Sequence, residues 1–146
     1  MSGRLFPQTH AHLLEPPIEY TADSIAPVLV MCRLGAALEA LDKRVAVVIS
    51  SDLAHTHLAS GPYGKSAAAE PFDLAVGEWG KTLAPAPLLE TARSLVPKAL
   101  SCGYTGLVML HGMMASVGTW SPLRSPFCLA HPTYYGMMVA AFNRTA

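Results

Sequence analysis

Five consecutive apolar residues, Val45 to Ile49, followed at once by polar and titratable ones, constrain this chain more than any other feature. The run is rich in β-branched residues, bounded by polar ones and too short for a helix. Such a run reads as a strand buried on both faces, the kind found inside a parallel sheet. The stretch Arg44 to Gly64, RVAVVISSDLAHTHLASGPYG, then offers Ser50, Ser51, Asp52, His55, Thr56 and His57 before the turn-formers Gly61, Pro62 and Gly64. In open α/β sheets ligands sit outside the carboxyl ends of strands, so chemistry is expected at this point.

The flanking segments supply the scaffold. Met1 to Pro27 is irregular, with prolines at 7, 16, 17 and 27 and short strand candidates at Arg4 to Phe6 and Ile18 to Tyr20. Ile25 to Leu41 repeats Val30, Leu34, Ala37, Leu38 and Leu41 at helical spacing, with Ser24 as N-cap and Pro27 in the first turn. Helix then strand with a tight link is half of an α/β repeat. After the histidine-bearing loop, Ala67 to Trp79 predicts an amphipathic helix carrying Phe72, Val76 and Trp79. A proline-bearing link, Ala84 to Pro87, leads to a helix over Leu88 to Leu95, and Pro97 starts a further turn ending at Gly103. Glu90 and Arg93 sit at i, i+3 on a solvated face. Gly106 to Met114 is apolar throughout, and periodicity alone cannot separate a buried strand from a buried helix there. Gly118 to Pro126 is expected as a loop, with strands over Phe127 to Leu129 and Tyr134 to Phe142. The fold class expected is α/β: a mostly parallel or mixed sheet flanked by helices in three layers, one domain over residues 1–146.

Composition bounds the partners. Charged residues make up 14% of the chain, well below the roughly 25% of an ordinary domain. That shortage points to surface covered by a second copy or another chain, a homo- or hetero-oligomer, or by a missing part of the chain. Net charge is zero, so nothing points to nucleic acid or an anionic membrane. No apolar run approaches the ~18 residues of a membrane span. Cys32, Cys102 and Cys128 match no C-x-x-C pattern; an odd count without a signal peptide fits buried thiols in a reducing, cytoplasmic compartment.

The histidines carry the candidate chemistry. His55 and His57 are separated by one residue. In extended chain their side chains point the same way; in a helix they would diverge by about 200°. Imidazole exchanges a proton near neutral pH, so one at a strand end is a natural general acid or base. Asp52, three residues earlier, can orient an imidazole or cap the following turn. The catalytic candidates are therefore His55, His57 and Asp52. His10 and His12 repeat the H-x-H spacing, and two such pairs could form a four-histidine metal site. His111, inside an apolar run, reads as a hydrogen-bonded core histidine. Met109, Met113, Met114, Met137 and Met138 read as core filler. The run Gly61 to Ser66 lacks the spacing of a phosphate loop.

Several of these motifs occur in a familiar order: Ile49-Ser-Ser-Asp-Leu-Ala-His55-Thr-His57, Gly61-Pro-Tyr-Gly64, Cys102-Gly103, His111-Gly112 closing an apolar run, and Pro132-Thr-Tyr-Tyr-Gly136 leading into Met138-Val-Ala-Ala. From roughly Gly3 to Phe142 this order resembles the class III extradiol ring-cleavage dioxygenases, in particular their catalytic B-subunit type. The S-D-L-x-H stretch is the most specific part. The resemblance implies a non-haem Fe(II) held by two histidines and a glutamate, a catechol or aminophenol substrate bound through its ring hydroxyls, and ring cleavage by O₂. It assigns the acid/base role to His55 and places His57 in the same pocket.

The chain also departs from that pattern. The family's metal histidines precede a segment like Gly3-Arg-Leu-Phe-Pro7, which here follows only Met1 and Ser2. The family glutamate should lie one or two residues before Pro132, where this chain has Ala130 and His131. The expectation is a domain matching the C-terminal part of the enzyme, with an incomplete iron site and little activity alone. The alternatives are a metal enzyme drawing on His10, His12, His55, His57 or His131, a non-catalytic subunit pairing with a full-length chain, and a truncated chain.

Overall fold

A computed structural model describes residues 33–145. The strand candidates before Pro27, the Ser24 cap, His10, His12 and Cys32 lie outside the described residues. Among the described residues the chain combines helices with small antiparallel sheets, a general α/β composition.

Helix α1 is seen over residues 33–39. It meets the end of the long apolar helix through Gly35, which lies against Met113 and Val117, while Leu38 packs on the core. Leu34 and Leu41, expected inside, are exposed. Helix α2 (Ala69–Thr82) takes its form from a stripe at helical spacing: Ala69, Phe72, Asp73, Val76, Trp79 and Gly80 are buried. Glu70 in its first turn and Lys81 in its last oppose the helix dipole favourably. Leu83 ends it in the left-handed region, its N–H donating to the Trp79 carbonyl at 2.7 Å.

A π-helical turn (Pro87–Ala92) runs directly into α3 (Arg93–Ala99). Pro97 thus lies inside a helix instead of starting a new turn. The stop comes at Leu100, which is also left-handed and donates its N–H to Val96. Helix α4 (Tyr104–Ser116) contains Gly106 to Met114, so the ambiguous run is helical. Its apolar residues surround the axis because the helix is buried over much of its circumference: Tyr104, Leu107, Val108, Gly112, Met113 and Met114 are all inside.

Fully burying a large apolar side chain contributes roughly 1.5–3 kcal/mol. Phe72, Val76, Trp79 and Leu88 are all fully buried, so the core is centred on α2 and the π turn, with α3 and α4 closing it. His111 belongs to this core as expected. Its Nδ1 accepts the Trp79 indole N–H at 3.1 Å, and burial lowers its pKa from the usual 6.5. Tyr104 donates its hydroxyl proton to the Leu88 carbonyl, joining α4 to the π turn.

Four short strands complete the described chain: β1 (Trp120–Pro122), β2 (Cys128–Ala130), β3 (Met137–Val139) and β4 (Phe142–Arg144). They form two separate antiparallel pairs, β1 with β4 and β2 with β3. In register, Trp120 faces Arg144 and Leu129 faces Met138. Leu129, Met138 and Phe142 turn against the core.

Three expectations require correction. Val45 to Ile49 pairs with no strand among the described residues, and Val45, Val47 and Val48 are exposed. A buried parallel strand needs ladder neighbours on both sides, and the described sheets are antiparallel and lie elsewhere. The expected Gly118–Pro126 loop contains β1, and the single strand expected over Tyr134 to Phe142 is split into β3 and β4. Pro122 is tolerated because β1 is an edge strand. Cys102 and Cys128 are exposed, not buried. No helix among the described residues is long and apolar enough to cross a membrane.

Candidate functional site

Residues 52–57 are threaded between two other parts of the chain. On one side, Leu53 N–H donates to Gly136 O at 2.8 Å, Gly136 N–H to Ala54 O at 2.7 Å and His57 N–H to Tyr134 O at 3.0 Å. On the other, His55 N–H donates to Ala99 O at 2.8 Å, and Gly103 N–H to Asp52 O at 3.0 Å. Thr56 Oγ1 adds a bond to Lys98 O at 3.2 Å. The backbone polar groups are thus satisfied by loops and a helix end instead of by a sheet ladder. Buried Leu53, Ala54 and Thr56 hold the segment to the core.

The amides of Leu53, His55 and His57, two residues apart, donate to alternating sides where a regular strand would turn all three to one side, and the chain bends at these same residues. The two imidazoles consequently enter different surroundings, whereas regular extended chain would have set them side by side.

His57 turns inward. Its Nε2 lies 2.7 Å from Asp73 Oδ2, with both side chains 6% exposed. The other carboxylate oxygen accepts the Ala54 N–H at 2.9 Å. Burial drives the Asp73 pKa above its ordinary 3.8, against the opposing pull of the Ala54 amide and of His57. The exposed His131 ring stacks on His57 with centroids 4.4 Å apart and planes 5° from parallel. Gly136 is required beside the pair, since a Cβ there would sit 1.8 Å from Asp73 Oδ2.

His55 turns toward an aromatic rim. Its ring stacks on Tyr63, centroids 5.5 Å apart, and meets the edge of Tyr134 at 6.2 Å. Asp52 Oδ2 is 3.5 Å from His55 Nε2, too far for a good N–H···O bond but within ion-pair reach. The carboxylate is 41% exposed and the imidazole 16%.

Cys102 approaches the same point. Its Sγ accepts the Asp52 N–H at 3.3 Å, and Ser101 Oγ donates to Asp52 O at 3.2 Å. Gly103 permits the approach: a Cβ there would lie 2.5 Å from Ser51 Oγ and 2.7 Å from Asp52 O. One ligand atom from each of Asp52, His55 and Cys102 lies within 4.8 Å of the others, and the group could hold a metal ion.

The structure therefore brings Asp52 to His55 as the sequence suggested, and separates His57 into a pair of its own. Asp73 and Cys102 were missed as site residues. Asp73 did leave a signal, a carboxylate on the apolar stripe of a helix with Phe72 and Val76, which implies a buried partner. Cys102 stood with Gly103 in the motif order of the resemblance, but nothing local ties it to Asp52, fifty residues away.

The two-histidine, one-carboxylate iron set implied by the resemblance is not assembled by the described residues. The convergent donors are one imidazole, one carboxylate and one thiol, and His131 stacks on His57 instead of joining them. No protein-family model matches the sequence, and no curated protein matches it significantly.

Proposed function

We propose that this chain is a domain of the extradiol ring-cleavage dioxygenase type. In this reading it takes a catechol or aminophenol beside His55 and moves a hydroxyl proton through that imidazole. The observation that carries the reading is the setting of His55: a carboxylate 3.5 Å from Nε2 and two tyrosine rings within 6.2 Å. Asp52 lies where its charge offsets the one the imidazole gains on accepting a proton. Tyr63 and Tyr134 offer flat faces and edges against which an aromatic ring can pack. General base catalysis of this kind contributes about 10²–10⁴-fold. His57 is a positioning residue here, holding residues 52–57 to Asp73.

The described residues bring together no two-histidine, one-carboxylate set for Fe(II) apart from His55, so the reading assigns the chain weak iron binding and little ring cleavage alone. Catechol is titrated onto the protein at neutral pH and its ionisation followed by absorbance. Wild type is expected to bind it as the monoanion; His55→Gln is expected to lose that ionisation. Identical spectra from both proteins overturn the reading. Stoichiometric anaerobic Fe(II) uptake with sustained ring opening in air would overturn the incomplete-iron part.

A second reading, a non-catalytic subunit that pairs with a longer chain, draws on exposed Val45, Val47 and Val48, the last 80% exposed. Co-purification with such a chain supports it; a stable monomer by light scattering, at all concentrations, argues against it.

A further inference from the structure

We propose that Asp52, His55 and Cys102 form a Zn(II)-class site with an open coordination position. The donor chemistry selects the metal. Thiolate, imidazole and carboxylate together suit Zn(II), whereas Fe(II) ranks below it at nitrogen and sulfur sites and is held in oxygenases by a set without thiolate.

The geometry agrees with the donors. In a tetrahedral zinc site, a nitrogen and an oxygen ligand lie about 3.4 Å apart, from bonds of roughly 2.0–2.2 Å. His55 Nε2 and Asp52 Oδ2 are 3.5 Å apart already. All three ligand atoms lie within 4.8 Å of one another, so the thiol needs to close by at most about 1 Å to reach tetrahedral spacing, a side-chain rotation. Cys102 is exposed and in no disulfide, and the move exchanges its long contacts with the Asp52 backbone, at 3.3 and 3.6 Å, for the metal. The backbone beneath is fixed by the Gly103 N–H and Ser101 hydroxyl, both donating to Asp52 O. Three protein ligands with one position left to solvent is the arrangement of catalytic or inhibitory zinc, not of a closed structural site.

The proposal does not depend on the dioxygenase reading. Where that reading holds, the two uses exclude each other, because the Nε2 that faces Asp52 would carry either a proton or the metal. Zn(II) would then silence His55.

Co(II) serves as the spectroscopic probe, added to the reduced full chain without any aromatic substrate. One equivalent is expected to give a thiolate-to-cobalt charge-transfer band in the near ultraviolet, which one equivalent of Zn(II) removes. Cys102→Ser is expected to abolish the band and Cys128→Ser to leave it. Should Cys102→Ser fail to fold, Asp52→Asn serves instead. It should weaken Zn(II) binding by at least the roughly tenfold that even outer-sphere changes cost. No band at one equivalent, a band that survives Cys102→Ser, or unchanged Zn(II) affinity in Asp52→Asn overturns the proposal. The readout is metal binding alone, so its failure is distinct from a failure of catechol ionisation.

Discussion

Two imidazole–carboxylate pairs lie within a few residues of each other, and they do opposite work. His57 and Asp73 meet at 2.7 Å with both side chains 6% exposed. His55 and Asp52 stand 3.5 Å apart beside solvent, the carboxylate 41% exposed. Water is the difference. Inside, each polar group needs its partner, and removing one leaves the other stranded in a medium that solvates it poorly. At the rim, water supplies what a partner does not, so the pair contributes little to stability. One pair holds the segment, and the other is the one to which the proposals above assign chemistry.

The sharpest way to break this comparison is to remove Asp73. Asp73→Ala is expected to cost about 3–5 kcal/mol in urea unfolding, because it orphans a buried imidazole. Gly136→Ala is expected to cost a similar amount by driving a Cβ into the same carboxylate. A loss under about 1 kcal/mol in both would place the inward pair among ordinary surface contacts.

Next in size is the core histidine. His111→Leu is expected to cost about 1–3 kcal/mol, since the buried Trp79 N–H loses its acceptor. The sign of its pH dependence follows from burial. A folded-state pKa below the usual 6.5 means the unfolded chain binds the proton more tightly. Stability from this group is complete above 6.5 and is lost as pH falls below it through the folded value. His111→Leu should remove that acid limb, as urea midpoints against pH would show.

Asp73 acts with the opposite sign. Its folded pKa is raised above 3.8, so between the two values the native state holds a proton that the unfolded chain releases. Its contribution to stability is greatest below 3.8 and falls as pH rises through the folded value. Comparing Asp73→Asn with wild type over that range should show wild type gaining relative stability toward acid.

The smallest expected effect sharpens the outer half of the comparison. Asp52→Asn should change stability by less than about 1 kcal/mol, while weakening both catechol ionisation and Zn(II) binding. A large stability loss would show that the rim pair is structural after all.

Much of the helical scaffold was legible from spacing. Phe72, Val76 and Trp79 marked α2, and His111 was read as a hydrogen-bonded core residue, which it is. The limits of α3 were less legible, because Pro97 argued for a break that the chain passes through. The run Val45 to Ile49 misled, since β-branched composition signals extended backbone but not whether a neighbour exists to cover it. The Asp52–His55 neighbourhood was visible because its members are three residues apart. Asp73 reaches His57 and Cys102 reaches Asp52 only through contacts 16 and 50 residues long.

By itself the sequence determined which segments bury an apolar face as helices, and that titratable side chains crowd one short stretch after Ile49. Those are local properties, set by the period at which side chains recur along a backbone. Only the tertiary structure decided which imidazole pairs with a buried carboxylate and which with an exposed one, and that a thiol from the turn before α4 joins the outer group. That decision rests on where residues 52–57 find hydrogen-bond partners. Those partners, at 99–103 and 134–136, are distant in the chain and meet only on folding.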